Sequence, residues 1–272
     1  MKLDLHTHTT ASDGSYTPNE LVKTAISNNL KYLSITDHDN IEALEEISEI
    51  PDKLNFINGV EISAEFSKTL HILGYNFNKN NLKLNKKLNE LQDYRKNRNH
   101  KMLANMKNRG FHITWEELKE EAKGEIVGRP HFASLMDKKG YVNSYQEAFD
   151  KYLKKGAPLY LNKKRLAPDT AIELILQSNG IPVMAHPYQT QLDEEDLESL
   201  IKKLRSYGLQ GIEVFYSQHT DKQIEQYLKY AKKYELVITA GSDFHGTNKE
   251  YIELGMNVNR EYIEPFLDRI NK

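Results

Sequence analysis

Short apolar runs alternate along the chain with stretches in which apolar residues recur every three or four positions. The short runs predict β-strands and the periodic stretches predict amphipathic helices. The predicted strands are Lys2–His6, Tyr32–Thr36, Asn55–Val60, Leu70–Tyr75, Pro182–Ala185, Gly211–Phe215 and Leu236–Ala240. The predicted helices between them are Pro18–Asn29, Ile41–Ser48, Pro168–Asn179, Glu194–Ser206 and Asp221–Tyr234. This alternation favours an α/β fold, with a mostly parallel sheet or a (β/α) barrel.

The middle of the chain breaks this alternation. Between residues 82 and 154 the pattern predicts helices alone, and these are Leu82–Arg109, Trp115–Ala122, His131–Lys139 and Tyr145–Lys154. A helical block between β/α units predicts a small helical insertion domain at 82–154 and a barrel domain made of 1–81 and 155–272.

The first helix of this block, Leu82–Arg109, carries nine Lys and Arg residues and two Asp and Glu residues. One interpretation is an electropositive wall for a polyanionic substrate such as the 5′ end of an RNA. The other is an ordinary solvated helix face opposite a buried apolar stripe. The second interpretation is favoured, because lysine is abundant throughout the chain.

Composition narrows the function further. The chain has 272 residues, 39% hydrophobic and 28% charged, with a net charge of -2. These values are typical of a globular protein, and they give no global reason to bind nucleic acid or an anionic membrane. We see neither a signal-peptide pattern nor an apolar run of the ~20 residues that cross a membrane, so a cytoplasmic location without membrane association is expected. The absence of cysteine excludes disulfides and thiolate ligands, so any metal ion must be held by histidine and carboxylate.

Histidines and carboxylates follow nearly every predicted strand. His6 and His8 end the first strand at positions i and i+2, so both imidazoles point to the same side. The other residues at strand ends are Asp13, Asp37, His38, Glu61, His186, Asp243 and His245, and His71 lies near the end of its strand, in Leu70-His71-Ile72-Leu73-Gly74. Functional residues of parallel β/α folds collect in the loops at the C-terminal ends of the strands. We therefore expect these side chains to share one rim.

Taken singly, each of these histidines is more plausibly a hydrogen-bonded core or loop residue than a metal ligand. As a set they are not scattered, because six of the ten histidines lie at strand ends. So many imidazoles and carboxylates on one rim would be unstable without cations. The arrangement predicts a multinuclear metal site.

Five short motifs, spread through almost the whole chain, resemble those of the PHP (polymerase and histidinol phosphatase) superfamily. They are His-Thr-His-x4-Asp from His6, Thr-Asp-His-Asp from Thr36, Gly-Val-Glu-Ile-Ser from Gly59, Ala-His-Pro from Ala185 and Gly-Ser-Asp-Phe-His-Gly from Gly241. The helical insertion and the Gly-Arg-Pro-His-Phe-Ala motif from Gly128 resemble the stand-alone phosphoesterase branch. That branch includes nucleoside 3′,5′-bisphosphate phosphatases and enzymes that trim RNA or oligonucleotides from the 5′ end. The resemblance implies a distorted (β/α)7 barrel with two or three metal ions at its C-terminal rim.

The resemblance also implies which residues bind metal. One ion would be held by His6, His8, Glu61 and Asp243. Glu61 would bridge to a second ion, completed by His71 and His186. A third ion would be held by Asp13, His38 and His245. Many relatives have histidine where this chain has Asp13, and the harder carboxylate favours Mn2+ or Fe2+ over Zn2+. Mn2+ is the expected ion, with Fe2+ and Zn2+ as alternatives.

The activity implied is hydrolysis of phosphate esters of nucleotides by a metal-activated hydroxide, with no covalent serine or cysteine. The expected substrates are nucleoside 3′,5′-bisphosphates, 5′-nucleotides or short RNA 5′ ends. The leaving group needs an acid, and either Asp37 or His38 is a candidate. Arg129 and His131, which open a predicted helix after Gly128, are predicted to bind the substrate phosphate, since arginine presents a bidentate fork and the helix start presents free amides.

Two alternatives stay open. A histidinol-phosphate-type phosphatase is disfavoured, because the Arg-Pro-His insertion belongs to the other branch. A non-catalytic, metal-bearing PHP module of the kind attached to polymerases is disfavoured, because degenerate copies lose ligands and this chain keeps all nine. A small phosphorylated substrate is the expected partner, and no obligate protein partner is evident.

Overall fold

A computed structural model describes residues 1–122 and 127–271. The chain forms two compact units, a barrel unit of Met1–Leu88 with Arg165–Lys272 and a helical unit of Asn89–Lys164. These bounds differ from the predicted insertion of 82–154 for two reasons. One continuous helix passes through the first boundary, and Leu159 belongs to the apolar core of the helical unit.

The barrel unit is built on one sheet, whose strand order is β7-β6-β5-β4-β3-β2-β1-β8 among the described residues. The strands are β1 Lys2–Asp4, β2 Tyr32–Ile35, β3 Asn55–Ser63, β4 His71–Tyr75, β5 Ile181–Met184, β6 Gly211–Tyr216, β7 Val237–Gly241 and β8 Met256–Asn257. β1, β2 and β3 are parallel, as are β5, β6 and β7. β4 is antiparallel to both β3 and β5, and β8 is antiparallel to β1.

The sheet closes where the chain after β1 meets the end of β7. The Leu5 amide donates to Ala240 O at 3.0 Å, and the Asp243 amide donates to His6 O at 2.8 Å. A Cβ on Gly241 would lie 2.2 Å from His6 Cβ, so only glycine permits this close approach. The nearly closed sheet confirms the predicted α/β barrel.

Helices follow the strands of the barrel unit, and further helices follow one another in the helical unit. They are α1 Pro18–Ser27, α2 Ala43–Glu46, α3 Leu82–Lys107, α4 Trp115–Ala122, α5 Arg129–Lys138, α6 Tyr145–Ala148, α7 Pro168–Gln177, α8 Glu194–Ser206, α9 Asp221–Lys233 and α10 Arg260–Ile270. Thr17 and Glu20 form a capping box at the start of α1, where Pro18 had predicted a helix start. α2 is shorter than the predicted Ile41–Ser48, and α10 and β8 were not predicted.

Apolar side chains on the inner face of the strands fill the barrel. Leu3, Leu73 and Val183 are fully buried there, and Phe266 of α10 packs against the same cluster. Burial of each such side chain contributes about 1.5–3 kcal/mol. Tyr75 joins the cluster by donating its hydroxyl hydrogen to Leu5 O at 2.8 Å. The strand ends are thereby held in place for the polar residues that follow them.

The helical unit has a core of its own. Met106, Leu118, Phe132, Met136 and Leu153 are all buried in it. A π-helix, Phe149–Leu153, continues α6. None of the described helices is both long enough and apolar enough to cross a membrane.

Candidate metal centre

The first loop of the barrel places two imidazoles in the interior. His6 and His8 follow β1, and both are completely buried. The carboxylate of Asp4 fixes this segment, because it accepts hydrogen bonds from the backbone amides of His6 at 3.2 Å and Ser242 at 2.9 Å. Burial raises the pKa of Asp4 to about 6, against the opposing effect of its hydrogen bonds. Asp4 was not among the residues predicted from the sequence, and it connects the end of β1 to the segment after β7.

Glu61 lies at the centre of the cluster and is completely buried. Its Oε1 is 2.6 Å from His71 Nδ1 and 2.9 Å from His186 Nε2. Its Oε2 is 2.7 Å from His38 Nδ1 and 3.4 Å from His8 Nε2. The two oxygens therefore face different imidazoles, which is the geometry of a carboxylate that can bridge two ions.

Two of the predicted positions were assigned to the wrong part of a strand. His71 begins β4, and it reaches the rim because β4 runs antiparallel to its neighbours. Glu61 lies within β3, which continues to Ser63, three residues beyond its predicted end. The rim thus collects residues from the start of one strand and the interior of another, as well as from C-terminal loops.

The nine predicted metal ligands assemble into four overlapping groups, within each of which the potential ligand atoms lie within 4.8 Å of one another. The groups are His8, Asp13, His38 and His245; His6, Glu61 and His186; His6, His8 and Asp243; and His38, Glu61 and His71. Asp243 and His245, neighbours in sequence, fall in different groups. The assignment of each residue to a particular ion stays a prediction.

The chemistry of the cluster fits divalent cations. In the described part of the chain, Nε2 of His6, Nε2 of His8 and Oε2 of Glu61 are buried without a hydrogen bond of regular geometry, and each faces other potential ligand atoms instead. Buried polar atoms of this kind are costly unless something satisfies them, and a cation would do so for all three at once. The donor set contains nitrogen and oxygen only, which suits Mn2+, Fe2+ and Zn2+.

The electrostatics favour the metal-binding protonation states of Glu61 and His8. Burial acts to raise the pKa of Glu61, but the imidazoles of His71, His38 and His6 outweigh it and hold that pKa well below its usual range. Burial and the neighbouring imidazole of His245 lower the pKa of His8 to about 3. Near neutral pH, Glu61 is therefore ionised and His8 is neutral, as metal coordination requires. At His6 burial acts to lower the pKa, but the carboxylates of Glu213 and Glu61 outweigh it and raise that pKa, so metal binding there must displace a proton.

Glu213 is a buried residue of the site that the sequence analysis missed. Its Oε1 lies 2.9 Å from His6 Nδ1, and its Oε2 accepts the backbone hydrogen of His186 at 2.8 Å. A carboxylate on Nδ1 fixes the proton there and leaves Nε2 available as a ligand. The signal in the sequence is one acidic residue inside the apolar strand β6.

Lys249 is a second residue that the sequence analysis missed. Its Nζ lies 2.7 Å from Asp243 Oδ2, and the same oxygen accepts the Tyr216 hydroxyl hydrogen at 2.8 Å. The Lys249 side chain is 29% exposed. It therefore places a positive charge at the mouth of the cluster, in the loop that follows β7.

The two candidate acids have different surroundings. The Asp37 carboxylate accepts hydrogen bonds from Thr9 N at 2.8 Å, from Thr9 Oγ1 at 2.6 Å and from Ser12 Oγ. Burial raises the pKa of Asp37 to about 6, and among the described residues it belongs to none of the four groups. His38 belongs to two of them, and its side chain is 19% exposed.

Arg129 and His131 lie at the start of α5 in the helical unit. Arg129 Nη1 donates to Leu153 O at 3.0 Å, and its guanidinium carbon lies 5.1 Å from the centre of the Tyr160 ring. His131 Nδ1 accepts the backbone hydrogen of Gly128 at 3.0 Å, which caps the helix. Their contact with substrate phosphate stays a prediction.

Comparison with known proteins assigns the family. The PHP domain family matches residues 4–164, which is more than half of the chain. The chain belongs to the PHP family. It is 33% identical to a 5′-3′ exoribonuclease of Haemophilus influenzae, over 94% of each chain. It is 29% identical to a 3′,5′-nucleoside bisphosphate phosphatase of Chromobacterium violaceum, over 93% of this chain and 90% of the other.

Solved structures agree with this PHP assignment. An amidohydrolase from Chromobacterium violaceum with bound sulfate and no metal has a TM-score of 0.82 at 27% identity, covering 98% of this chain and 95% of that one. A protein from Bifidobacterium adolescentis, provisionally named a metal-dependent phosphoesterase, has a TM-score of 0.81 at 27% identity, covering 98% and 96%. This PHP protein is accordingly a hydrolase of phosphoric ester bonds.

Proposed function

We propose that this PHP enzyme hydrolyses the phosphate ester on O3′ of a 5′-phosphorylated nucleotide. A nucleoside 3′,5′-bisphosphate and the 5′ end of a phosphorylated RNA share this bond, one as a monoester and the other as a diester. The names of the two relatives, a bisphosphate phosphatase and a 5′-3′ exoribonuclease, support one chemistry common to both substrates.

In this reaction the oxygen of water forms a bond to phosphorus while the P–O3′ bond breaks. The electron pair leaves with O3′, which takes a proton and becomes the ribose 3′-hydroxyl. From a bisphosphate the products are a nucleoside 5′-phosphate and inorganic phosphate. From RNA the products are a nucleoside 5′-phosphate and a chain shortened by one residue, again with a 5′-phosphate.

The position of Glu61 is the observation that carries the proposal. A buried carboxylate whose two oxygens face five imidazoles within 3.4 Å is suited to holding adjacent cations. Bound divalent ions supply Lewis acidity toward phosphate oxygens and lower the pKa of water. We expect Mn2+ as the native ion, with Fe2+ and Zn2+ as alternatives. The reason is the carboxylate of Asp13, an oxygen ligand that makes its group of four potential ligands chemically harder than a group of histidines alone.

Other residues of the chain would bind and orient the substrate. Lys249 carries its charge at the mouth of the cluster, where it can pair with a phosphate oxygen. Arg129 offers a planar fork suited to a second phosphate. Asp37 already accepts three hydrogen bonds from Thr9 and Ser12, which favours a positioning role for its carboxylate over the acid role also considered for it.

The test is a panel of phosphate esters offered to protein reconstituted separately with Mn2+, Fe2+ and Zn2+. The panel contains a nucleoside 3′,5′-bisphosphate, a nucleoside 5′-phosphate, a short 5′-phosphorylated RNA, the same RNA with a 5′-hydroxyl, and histidinol phosphate. We expect the first compound and the phosphorylated RNA to be hydrolysed, with Mn2+ the best activator. Preference for histidinol phosphate, or equal cleavage of the two RNAs, would contradict the proposal.

A further inference from the structure

A series of aromatic rings extends from the candidate metal centre along the rim of the barrel unit. The His186 ring lies 5.5 Å from the ring of Tyr216, and the Tyr216 ring lies 5.7 Å from that of Tyr188. The hydroxyl of Tyr188 donates a hydrogen bond to the side-chain oxygen of Gln218. The side-chain nitrogen of Gln218 lies 3.4 Å from the hydroxyl of Tyr251. The amide of Gln218 thus connects two tyrosines from different loops.

Tyr251 ends this series and differs from the other members in its exposure. It is 75% exposed, more than any other aromatic residue in the described part of the chain. Both faces of the ring are therefore open to solvent, and a flat ligand that covered one of them would gain from burying that apolar surface. Its hydroxyl is held by Gln218, so the ring is fixed at its edge while its faces stay accessible.

The position of Tyr251 relates it to the charges of the site. It follows Lys249 by two residues, so their Cα atoms are at most about 7.6 Å apart. Lys249 Nζ in turn lies 2.7 Å from Asp243 Oδ2 in the candidate metal centre. A nucleotide has its phosphate and its base separated by a single sugar, which matches a cation and an exposed ring at neighbouring positions of one loop.

We infer that Tyr251 and Gln218 form a subsite that binds the nucleobase of the substrate, and this inference rests on the proposed function. The base stacks on the face of Tyr251, and the side-chain amide of Gln218 offers hydrogen bonds to its edge. Stacking does not distinguish one base from another, because every base has a π-face. The subsite therefore selects nucleotides over other phosphate esters and shows little preference among the bases.

The experiment measures binding, so that it does not depend on turnover. The Mn2+-loaded protein is titrated with adenosine 5′-phosphate and with ribose 5-phosphate, which lacks the base, and each dissociation constant is determined by calorimetry. Stacking of one base contributes ~1–3 kcal/mol, so wild type should bind the nucleotide roughly 5- to 150-fold more tightly than the sugar phosphate. Tyr251→Ala should lose most of this ratio, whereas Tyr251→Phe, which keeps the ring, should retain most of it.

Tyr262→Ala is the matched control. Tyr262 is 39% exposed and lies on α10, where its ring is 5.2 Å from that of Phe215, outside the series that connects His186 to Tyr251. This variant should bind both ligands as wild type does. Equal dissociation constants for the two ligands in wild type, or an unchanged ratio in Tyr251→Ala, would overturn the subsite.

The two hypotheses fail in different ways. A base preference that depends on Tyr251, in a protein that hydrolyses no nucleotide in the ester panel, supports the subsite and contradicts the proposed reaction. Hydrolysis of the bisphosphate without any base preference in binding supports the reaction and overturns the subsite.

Discussion

Replacing Glu213 by glutamine preserves the shape of a buried side chain and removes its charge. The carboxylate now serves two partners, with Oε1 at 2.9 Å from His6 Nδ1 and Oε2 at 2.8 Å from the backbone nitrogen of His186. Glutamine has a single acceptor oxygen, so one partner must face its NH2 group. The backbone N–H of His186 cannot lose its hydrogen, whereas the His6 ring can change tautomer.

The amide oxygen should therefore stay with His186, and the NH2 group should face His6 Nδ1. His6 would then carry its proton on Nε2, the atom that lies 3.4 Å from Glu61 Oε1 and 3.6 Å from Asp243 Oδ1. A protonated nitrogen cannot ligate a metal ion. Loss of such an outer partner typically weakens metal affinity 10- to 100-fold, which corresponds to about 1.4–2.8 kcal/mol.

Elemental analysis after dialysis against graded chelator concentrations gives the metal dissociation constants of wild type and Glu213→Gln. Glu198→Gln is the control, since its carboxylate pairs with Lys233 and Tyr234 on the outside of the barrel unit. Circular dichroism melting shows whether each variant is folded. If folded Glu213→Gln binds Mn2+ as tightly as wild type, the role assigned to Glu213 is wrong.

Four further predictions concern different parts of the chain. Arg129→Ala should lower kcat/KM on the preferred substrate by ~10²–10³ with metal content intact, and Arg129→Lys should recover part of the loss. His131→Ala should behave similarly, and release of an ion from this variant would instead make His131 a ligand. Burial lowers the pKa of His219 from its ordinary 6.5 to about 4, so the unfolded chain takes up the proton first as pH falls. The free energy of unfolding of metal-free protein, measured with urea, should therefore decrease between pH 6.5 and 4, and His219→Phe should remove that part of the decrease. Gly241→Ala would place a Cβ 2.2 Å from His6 Cβ, so we expect a lower melting temperature and loss of metal, and wild-type values for both would refute the close-approach argument.

The periodic parts of the fold were predictable from the sequence. Strands at Tyr32–Ile35 and Asn55–Ser63 begin where their apolar runs begin, and α8 and α4 have the predicted bounds. The rim itself was also identifiable, because His and carboxylate cluster at strand ends more than independent placement allows, whereas the choice of nine ligands within it came from the resemblance to the PHP superfamily. Local pattern was sufficient for these features, since each depends on a few neighbouring residues.

The direction of a strand and the course of α10 were not predictable in this way. The pattern of an apolar run is the same in a parallel and in an antiparallel strand. His71 was therefore predicted at the correct rim, but the antiparallel direction of β4, which brings it there, was not predicted. α10 contains Pro265 in its interior, and an internal proline disfavours the prediction of a helix from sequence. The burial of Ile263 and Phe266 outweighs that local preference.

The outer residues of the site depend on contacts between distant parts of the chain. Glu213 contacts His6 across 207 positions, and Asp4 contacts Ser242 across 238. No local pattern records such pairs. A single acidic residue in an otherwise apolar strand, as at Glu213, is a usable signal, because isolated carboxylates are rarely buried without a partner.

Phosphate release from a nucleoside 3′,5′-bisphosphate, followed while metal-free protein is titrated with Mn2+, tests the central claim most directly. We predict no hydrolysis without metal and a rate of hydrolysis that rises with the amount of bound Mn2+. Folded Glu61→Gln should bind at least one ion fewer than wild type and should lose nearly all activity. Hydrolysis by the metal-free protein, or wild-type metal content and activity in Glu61→Gln, would contradict a phosphoesterase centred on Glu61.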